Sequence, residues 1–322
     1  MTVTTAGTEV AYVANSYADT LSVIDVEACA VVETIAMDFG DPHPVERWPE
    51  GELQLANTPM NPKFTPDGSQ LYVPNPEGHN LAVVDVATNE IVEVVELAMK
   101  PCDIEFTPDG SRAVVSLLGR VTGKQGALMV LDVPAHTTLE PVMVGTQPEE
   151  LVLTADGTRA YIVSKSLWVI DVDANEVEKE IHLPEHCYDA VLSPDGKHLY
   201  LTATFGGAKL VVVDTTTNMV SGSIDVLMPA CMAFTRDPNR LLVSNVYDGS
   251  MQSVDLRTKA VSEPVRIGEL PSYIALTLDG AHAFVCHPAN DYVTVIDTTT
   301  LEALDRIQVD LGPCALAIGV RP

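Results

Sequence analysis

Short runs in which apolar and polar residues alternate fill the chain, separated by clusters of Asp, Asn, Thr, Gly and Pro. The stretch from Phe64 to Leu97, FTPDGSQLYVPNPEGHNLAVVDVATNEIVEVVEL, shows the unit most clearly. A turn at Thr65-Pro66-Asp67-Gly68 precedes a β-rich run at Leu71 to Pro74, then Asn80 to Val86 alternates with period two, and Ile91 to Leu97 does so again. This predicts three strands, and the residues just before Phe64 supply a fourth, innermost one.

Nearly everything else is a copy of that stretch. Aspartates ending the third strand of each copy are Asp25, Asp85, Asp132, Asp171, Asp214, Asp255 and Asp297, with spacings of 60, 47, 39, 43, 41 and 42 residues. A period near 40 residues is the mark of a propeller or solenoid. The turn before the second strand recurs as TPDG at Thr65 and Thr107, TADG at Thr154, SPDG at Ser193, TRDP at Thr235 and TLDG at Thr277. Seven units thus share six turns.

The missing turn belongs to the first unit, which begins almost directly in a second strand at Val10 to Asn15. Pro313-Cys314-Ala315-Leu316-Ala317-Ile318 matches Pro101 to Phe106 in position and then stops. The expectation is an all-β, seven-bladed β-propeller of four-stranded antiparallel blades. Its ring is closed by the C-terminal strand joining the N-terminal blade, which leaves no open edge where the chain ends meet. Residues 1–322 then read as a single domain with a lid-like insertion at 38–57.

The units LYVPNPEGHNLAVVDVATNEIVEVVEL, AYVANSYADTLSVIDVEACAVVETIAM and AFVCHPANDYVTVIDTTTLEALDRIQV resemble the YVTN-type β-propeller repeat, over essentially the whole chain. The resemblance implies the fold. Related propellers include lactonases, streptogramin-type lyases, surface-layer proteins and subunits of redox enzymes, so it implies no single activity.

Charge narrows the partners. With 45 acidic and 18 basic residues the formal net charge is -27, which argues against nucleic acid and against anionic lipid. A saline environment and cationic partners are both compatible with it. No apolar run approaches the length of a membrane-spanning helix, and MTVTTAGTEV lacks the basic start and apolar core of a signal peptide, so no membrane association and a cytoplasmic location are expected. The six cysteines are dispersed without CxxC spacing and read as small core residues rather than a zinc site or disulfide framework.

Loops carry the departures from the repeat. Asp38 to Asn57, DFGDPHPVERWPEGELQLAN, accounts for the 60-residue spacing and contains His43, Arg47 and Trp48. It reads as a lid over the central funnel, with shielding of the ring or contact with another subunit as the alternative. Leu117 to Gly126 carries Arg120 and Lys124, cations that could hold a substrate carboxylate or be plain solvated charges; its GRVTGK lacks phosphate-loop spacing. The run Asp171-Val172-Asp173-Ala174-Asn175 has Glu176 where a calcium loop needs glycine, and is a hairpin turn.

Aligning innermost strands on their turns places Asn61, Asp103, Glu150, Asp189, Cys231, Tyr273 and Ala315 at one level near the channel mouth. The neighbouring row is Met60, Cys102, Glu149, Tyr188, Ala230, Ser272 and Cys314, and alignment alone does not choose which row faces the channel. Histidines on the loop-rich face are His43, His79, His186 and His287, the last replacing the asparagine found as Asn15, Asn75 and Asn245. Histidine suits proton transfer near neutral pH, and carboxylates can orient it. The candidate catalytic set is therefore His186 or His287 as base, Tyr188 or Tyr273 as acid or donor, and Asp103, Glu150 or Asp189 as orienter. His43, Arg47, Trp48, His79, Arg120 and Tyr273 are the candidate substrate contacts. Hydrated channel lining and bonds between blades are the plain structural reading of the same residues.

Neither a GxSxG elbow nor a Rossmann glycine fingerprint occurs, which disfavours serine-hydrolase and dinucleotide chemistry. No cofactor is expected; a divalent metal held by funnel histidines is a weaker variant, because no HExxH or comparable spacing supports it. Two readings stand. One is a small-molecule enzyme of lactonase, lyase or isomerase type using acid–base residues in the funnel. The other is a non-catalytic binding scaffold with a protein partner, or an accessory subunit of a redox complex.

Overall fold

The computed structural model describes residues 7–37, 58–119, 125–204 and 207–322. These residues form seven antiparallel blades arranged in a ring, the expected β-propeller. In the second blade, strands Lys63–Phe64, Gln70–Asn75, Asn80–Asp85 and Glu90–Glu96 run from channel to rim. In the third and sixth blades the outermost strand is broken in two, Thr137–Thr138 with Val142–Thr146 and Ala260–Val261 with Val265–Arg266.

Turn chemistry repeats because the same local bonds repeat. The aspartate ending each third strand accepts the backbone N–H two or three residues on, as Asp25 does from Ala28 and Asp171 from Ala174, both at 2.8 Å. Within the PDG-type turns, Asp67, Asp109, Asp156, Asp195 and Asp279 bind the Thr or Ser hydroxyl two residues earlier at 2.7 Å. Such side-chain bonds to nearby groups are what makes Asp favourable in turns. In TRDP the hydroxyl of Thr235 instead donates to the Asp237 carbonyl, at 3.1 Å.

Apolar side chains fill each interface between neighbouring blades. One cluster joins Tyr72, Leu81 and Val83 of the second blade to Ile104, Phe106 and Val115 of the third. Another joins Ala11 and Val13 of the first blade to Phe284, Val293 and Ile307 of the seventh. The tyrosine of the repeat adds a polar tie: Tyr161 donates to Asn218 of the next blade at 2.9 Å, and Tyr12 reaches Asn89 in the same way. Asn89 and Asn218 sit at φ of 58° and 51°, the left-handed region that asparagine tolerates best after glycine.

The ring closes as the chain pattern requires. Pro313–Arg321 pairs antiparallel with Thr8–Asn15, with Tyr12 opposite Ala317 and Ala14 opposite Ala315. The blade so formed has the order Ala30–Ala36, Thr20–Asp25, Thr8–Asn15, Pro313–Arg321. No helix of the described residues is long and apolar enough to cross a membrane.

Candidate functional site

The innermost strand of each blade turns one edge to the channel, where its backbone N–H groups have no strand to pair with. Side chains from the preceding blade supply the acceptors. The Asp103 carboxylate accepts the Leu151 N–H of the fourth blade at 3.0 Å, and Asp189 accepts the Met232 N–H of the sixth at 2.7 Å. Asn61 makes the converse bond, donating to the Cys102 carbonyl at 3.1 Å. These three residues are ties between neighbouring blades. Glu150 occupies the same level in the fourth blade but carries one more methylene, and its carboxyl makes no hydrogen bond among the described residues.

Glu150 faces a cavity of about 410 Å³ inside the ring, together with Asp189, Cys231, Tyr273, Lys63 and Glu105. The rest of the wall is apolar, from Val152, Leu192, Phe234 and Leu276 among others. Volumes of this order accommodate a small organic molecule. Every lining residue lies at the level of Glu150 or between that level and the PDG turns. The cavity therefore occupies the turn side of the channel, whereas the sequence placed the site at the loop-rich mouth. Strand period explains the difference: Lys63, Glu105, Val152 and Val191 follow the Asn61, Asp103, Glu150 and Asp189 row by two residues and share its side.

Three carboxyl groups, Glu105, Asp103 and Glu150, act on one cation, Lys63. Lys63 binds Glu105 at 2.5 Å. Burial works against the ammonium charge, but Glu105 and then Asp103 outweigh it and hold Lys63 above the ordinary lysine range. Burial lifts Asp103 to about 7, with Lys63 pulling it down and Glu105 pushing it up. Asp189 is also lifted to about 7 by burial, against the stabilising bonds from Met232 N–H and the Cys231 thiol. Glu150 is pushed well above the usual carboxylate range, by burial first and then by Asp103 and Asp189. The same burial and the same carboxylates raise the Tyr273 hydroxyl and the Cys231 thiol. The Glu150 carboxyl thus holds its proton more firmly than an ordinary glutamate and lies on the cavity wall. Such shifted groups in a cleft are the usual mark of a site.

Comparison with known proteins bears on the ring alone. No family model matches the chain, and no curated protein matches it. Among solved structures, hydrazine synthase of Kuenenia stuttgartiensis superposes with a TM-score of 0.72 at 17% identity, covering 85% of this chain and 98% of that one. A functionally unknown protein from Desulfotomaculum acetoxidans gives 0.77 at 12% identity, covering 97% and 99%. Dihydro-heme d1 dehydrogenase NirN, solved with DHE, gives 0.68 at 14% identity, covering 96% and 74%. The likeness is one of fold.

The other residues singled out by sequence are dispersed. His287 is fully buried at the end of His282–His287, its Nδ1 2.7 Å from the Glu269 carbonyl and its Nε2 2.9 Å from the Thr294 hydroxyl. Nδ1 therefore donates to that carbonyl, and burial lowers the pKa of the ring. It does for the seventh blade what Asn15, Asn75 and Asn245 do for theirs, and it does not line the cavity. His186 is exposed and rests on Tyr188 with ring centroids 4.5 Å apart; both precede the Asp189 level and lie off the cavity wall. His79 occupies a left-handed position, φ 54°, in the turn between Gln70–Asn75 and Asn80–Asp85. His43, Arg47, Trp48, Arg120 and the insertion 38–57 lie outside the described residues.

Structure thus gathers Glu150, Asp189 and Tyr273 into one cavity with Cys231 of the same aligned row and with Asp103 buried beside them, and adds two residues the sequence reading passed over. Lys63 and Glu105 complete the polar wall. Both sit two positions beyond Asn61 and Asp103, so they follow only once the channel-facing row is known. No group of three or more His, Cys, Asp or Glu arranged to hold a metal ion occurs among the described residues.

Proposed function

We propose that the channel cavity is a small-molecule site and that Glu150 moves a proton there, as in an acid–base enzyme of lactonase, lyase or isomerase type. The observation carrying this reading is the Glu150 carboxyl: it faces the cavity, lacks the backbone partner that its counterparts Asp103 and Asp189 possess, and holds its proton to unusually high pH. Tyr273 shares the wall and supplies a hydroxyl that stays protonated, fitted to donate to a substrate oxygen. Lys63, partly neutralised by Glu105, supplies the cation near which an anionic intermediate would gather.

The test is a thermal-shift screen of lactones, hydroxy acids and amino compounds, followed by proton NMR of each stabilising ligand in D₂O. Wild-type protein should exchange or convert at least one ligand. Glu150→Gln should bind the same ligand without turning it over. A protein stabilised by nothing in the screen, or an unchanged rate in Glu150→Gln, overturns the reading.

A second reading, an accessory propeller of a redox assembly, draws support from two structural neighbours, a hydrazine synthase and a dihydro-heme d1 dehydrogenase. Size-exclusion chromatography of the native complex from its host separates the two. Elution as a free chain removes the second reading.

A further inference from the structure

We infer that the loop face carries a docking surface, confined to the arc from the sixth blade through the seventh to the first, for a protein presenting apolar side chains bordered by Lys and Arg. Leu227, Tyr247, Leu270, Leu311 and Tyr17 are all exposed, Tyr247 at 81% and Tyr17 at 54%. They follow one another around the ring, because backbone bonds tie each connection to the next turn. Val246 N–H donates to the Met228 carbonyl at 3.1 Å, Gly268 N–H to Gly249 at 3.1 Å, and Tyr17 N–H to Leu311 at 3.2 Å. Isolated exposed apolar residues need no explanation, but a run of five along one arc does.

Charge selects the occupant. Asp225, Asp248, Glu269 and Asp310 border the same residues, and the nearby Arg266 lies only 3.9 Å from Glu269. On the other half of the face, Lys100 and Lys209 are engaged with Glu77 and Glu185 at 2.7 and 3.2 Å, and large exposed aliphatics are absent among the described residues. A second copy would bring acid against acid in a chain of net charge -27, and an anionic bilayer meets the same repulsion. A partner with an apolar centre and basic rim satisfies both parts of the arc, and the rim charges would quicken its encounter. This surface is separate from the channel cavity, so it stands whether or not Glu150 is catalytic.

The test uses the full chain with p-benzoylphenylalanine in place of Tyr247 and two probes, an amphipathic leucine–lysine helical peptide and its leucine–glutamate counterpart. Only the lysine peptide should crosslink, with affinity falling roughly tenfold as salt shortens the electrostatic range. Tyr247→Ser, at a side chain almost wholly in solvent, should weaken binding about thirtyfold, the scale of a hot-spot loss. The outer-strand control Leu304→Ser should leave it unchanged. Equal capture of both peptides or equal loss in the control overturns the proposal. So does a crosslink to residues 38–57 of the same chain or to a second copy, or binding to neutral lipid vesicles in place of the peptide.

Discussion

The carboxylate of Asp189 accepts the backbone N–H of Met232 at 2.7 Å, joining the fifth blade to the sixth across the channel wall. Asp103 makes the equivalent bond to Leu151. Removing such an acceptor leaves a channel-edge donor without its partner, which costs about 1–3 kcal/mol. Asp189→Ala should therefore lower unfolding free energy in urea by about 2 kcal/mol. Asp189→Asn keeps an acceptor oxygen and sheds a carboxyl that burial already disfavours in its charged form, so its loss should be well under half as large. Equal losses in the two variants would remove the inter-blade role.

Stability should fall as pH rises toward neutrality. Asp103 and Asp189 hold their protons to about 7 in the fold, against 3.8 for the ordinary group. Glu149 and Glu150 are shifted in the same direction. Between about pH 4 and 7 the native state binds more protons than the unfolded chain, so the stabilisation present at the acid end is lost as these groups ionise. Two opposing sets bound the window. His287, lowered from 6.5, favours the fold less as pH falls below that value. The turn aspartates Asp67, Asp156 and Asp195, lowered from 3.8, withdraw support only at lower pH still. Melting temperature measured from pH 4 to 8 should peak on the acid side. The double variant Glu150→Gln with Asp189→Asn should flatten the decline, and an unchanged slope would count against the raised pKa of these two carboxyl groups.

His287 offers a separate discrimination. Asn15 donates to Ser22 at 2.9 Å, seven residues on, and His287 bonds Thr294 at the same offset and distance. His287→Asn should consequently cost only about 1 kcal/mol, whereas His287→Ala, which leaves a cavity and takes the donor from the Glu269 carbonyl, should cost about 2–3 kcal/mol. Any turnover found for the protein should survive His287→Asn. Its complete loss at unchanged stability would return this histidine to the catalytic set.

Those predictions depend on features of unequal legibility. Blade count, third-strand aspartates and PDG turns could be read from the chain because each is fixed by bonds within a few residues, such as Asp85 to Thr88 N–H at 2.9 Å. Ring closure followed from one displaced strand. The level of Asp103, Glu150, Asp189 and Tyr273 was also legible, since it follows from counting back from the turns. What counting cannot reveal is which side of a strand meets the channel, because that depends on how blades tilt against one another. Lys63 and Glu105 went unnoticed for this reason. The histidines drew attention through their chemistry, yet His287 substitutes for a structural asparagine, and only its partners on neighbouring segments disclose that. Glu150 was hidden differently: its distinction from Asp103 and Asp189 is a bond that it does not make.

Closure of the ring yields the most severe test of the fold. Pro313–Arg321 completes the first blade through pairs running from Thr8 opposite Arg321 to Asn15 opposite Pro313, and it brings Leu316 into the core shared with Phe284 and Val293. Deleting residues 313–322 would strip the channel edge of Thr8–Asn15, uncover Tyr12 and Val13, and leave the seventh blade without its neighbour at the inner strand. An unpaired strand edge in that position is also a template for association. Loss of several kcal/mol at this size shifts melting by about 10 °C or more, so the truncated chain should melt at least that much lower and associate at high concentration. Adding the missing ten residues back as a peptide should restore part of the loss, since the strand pairs through its backbone. A truncated chain with the melting curve of the full one would mean that the ring does not depend on its closing strand.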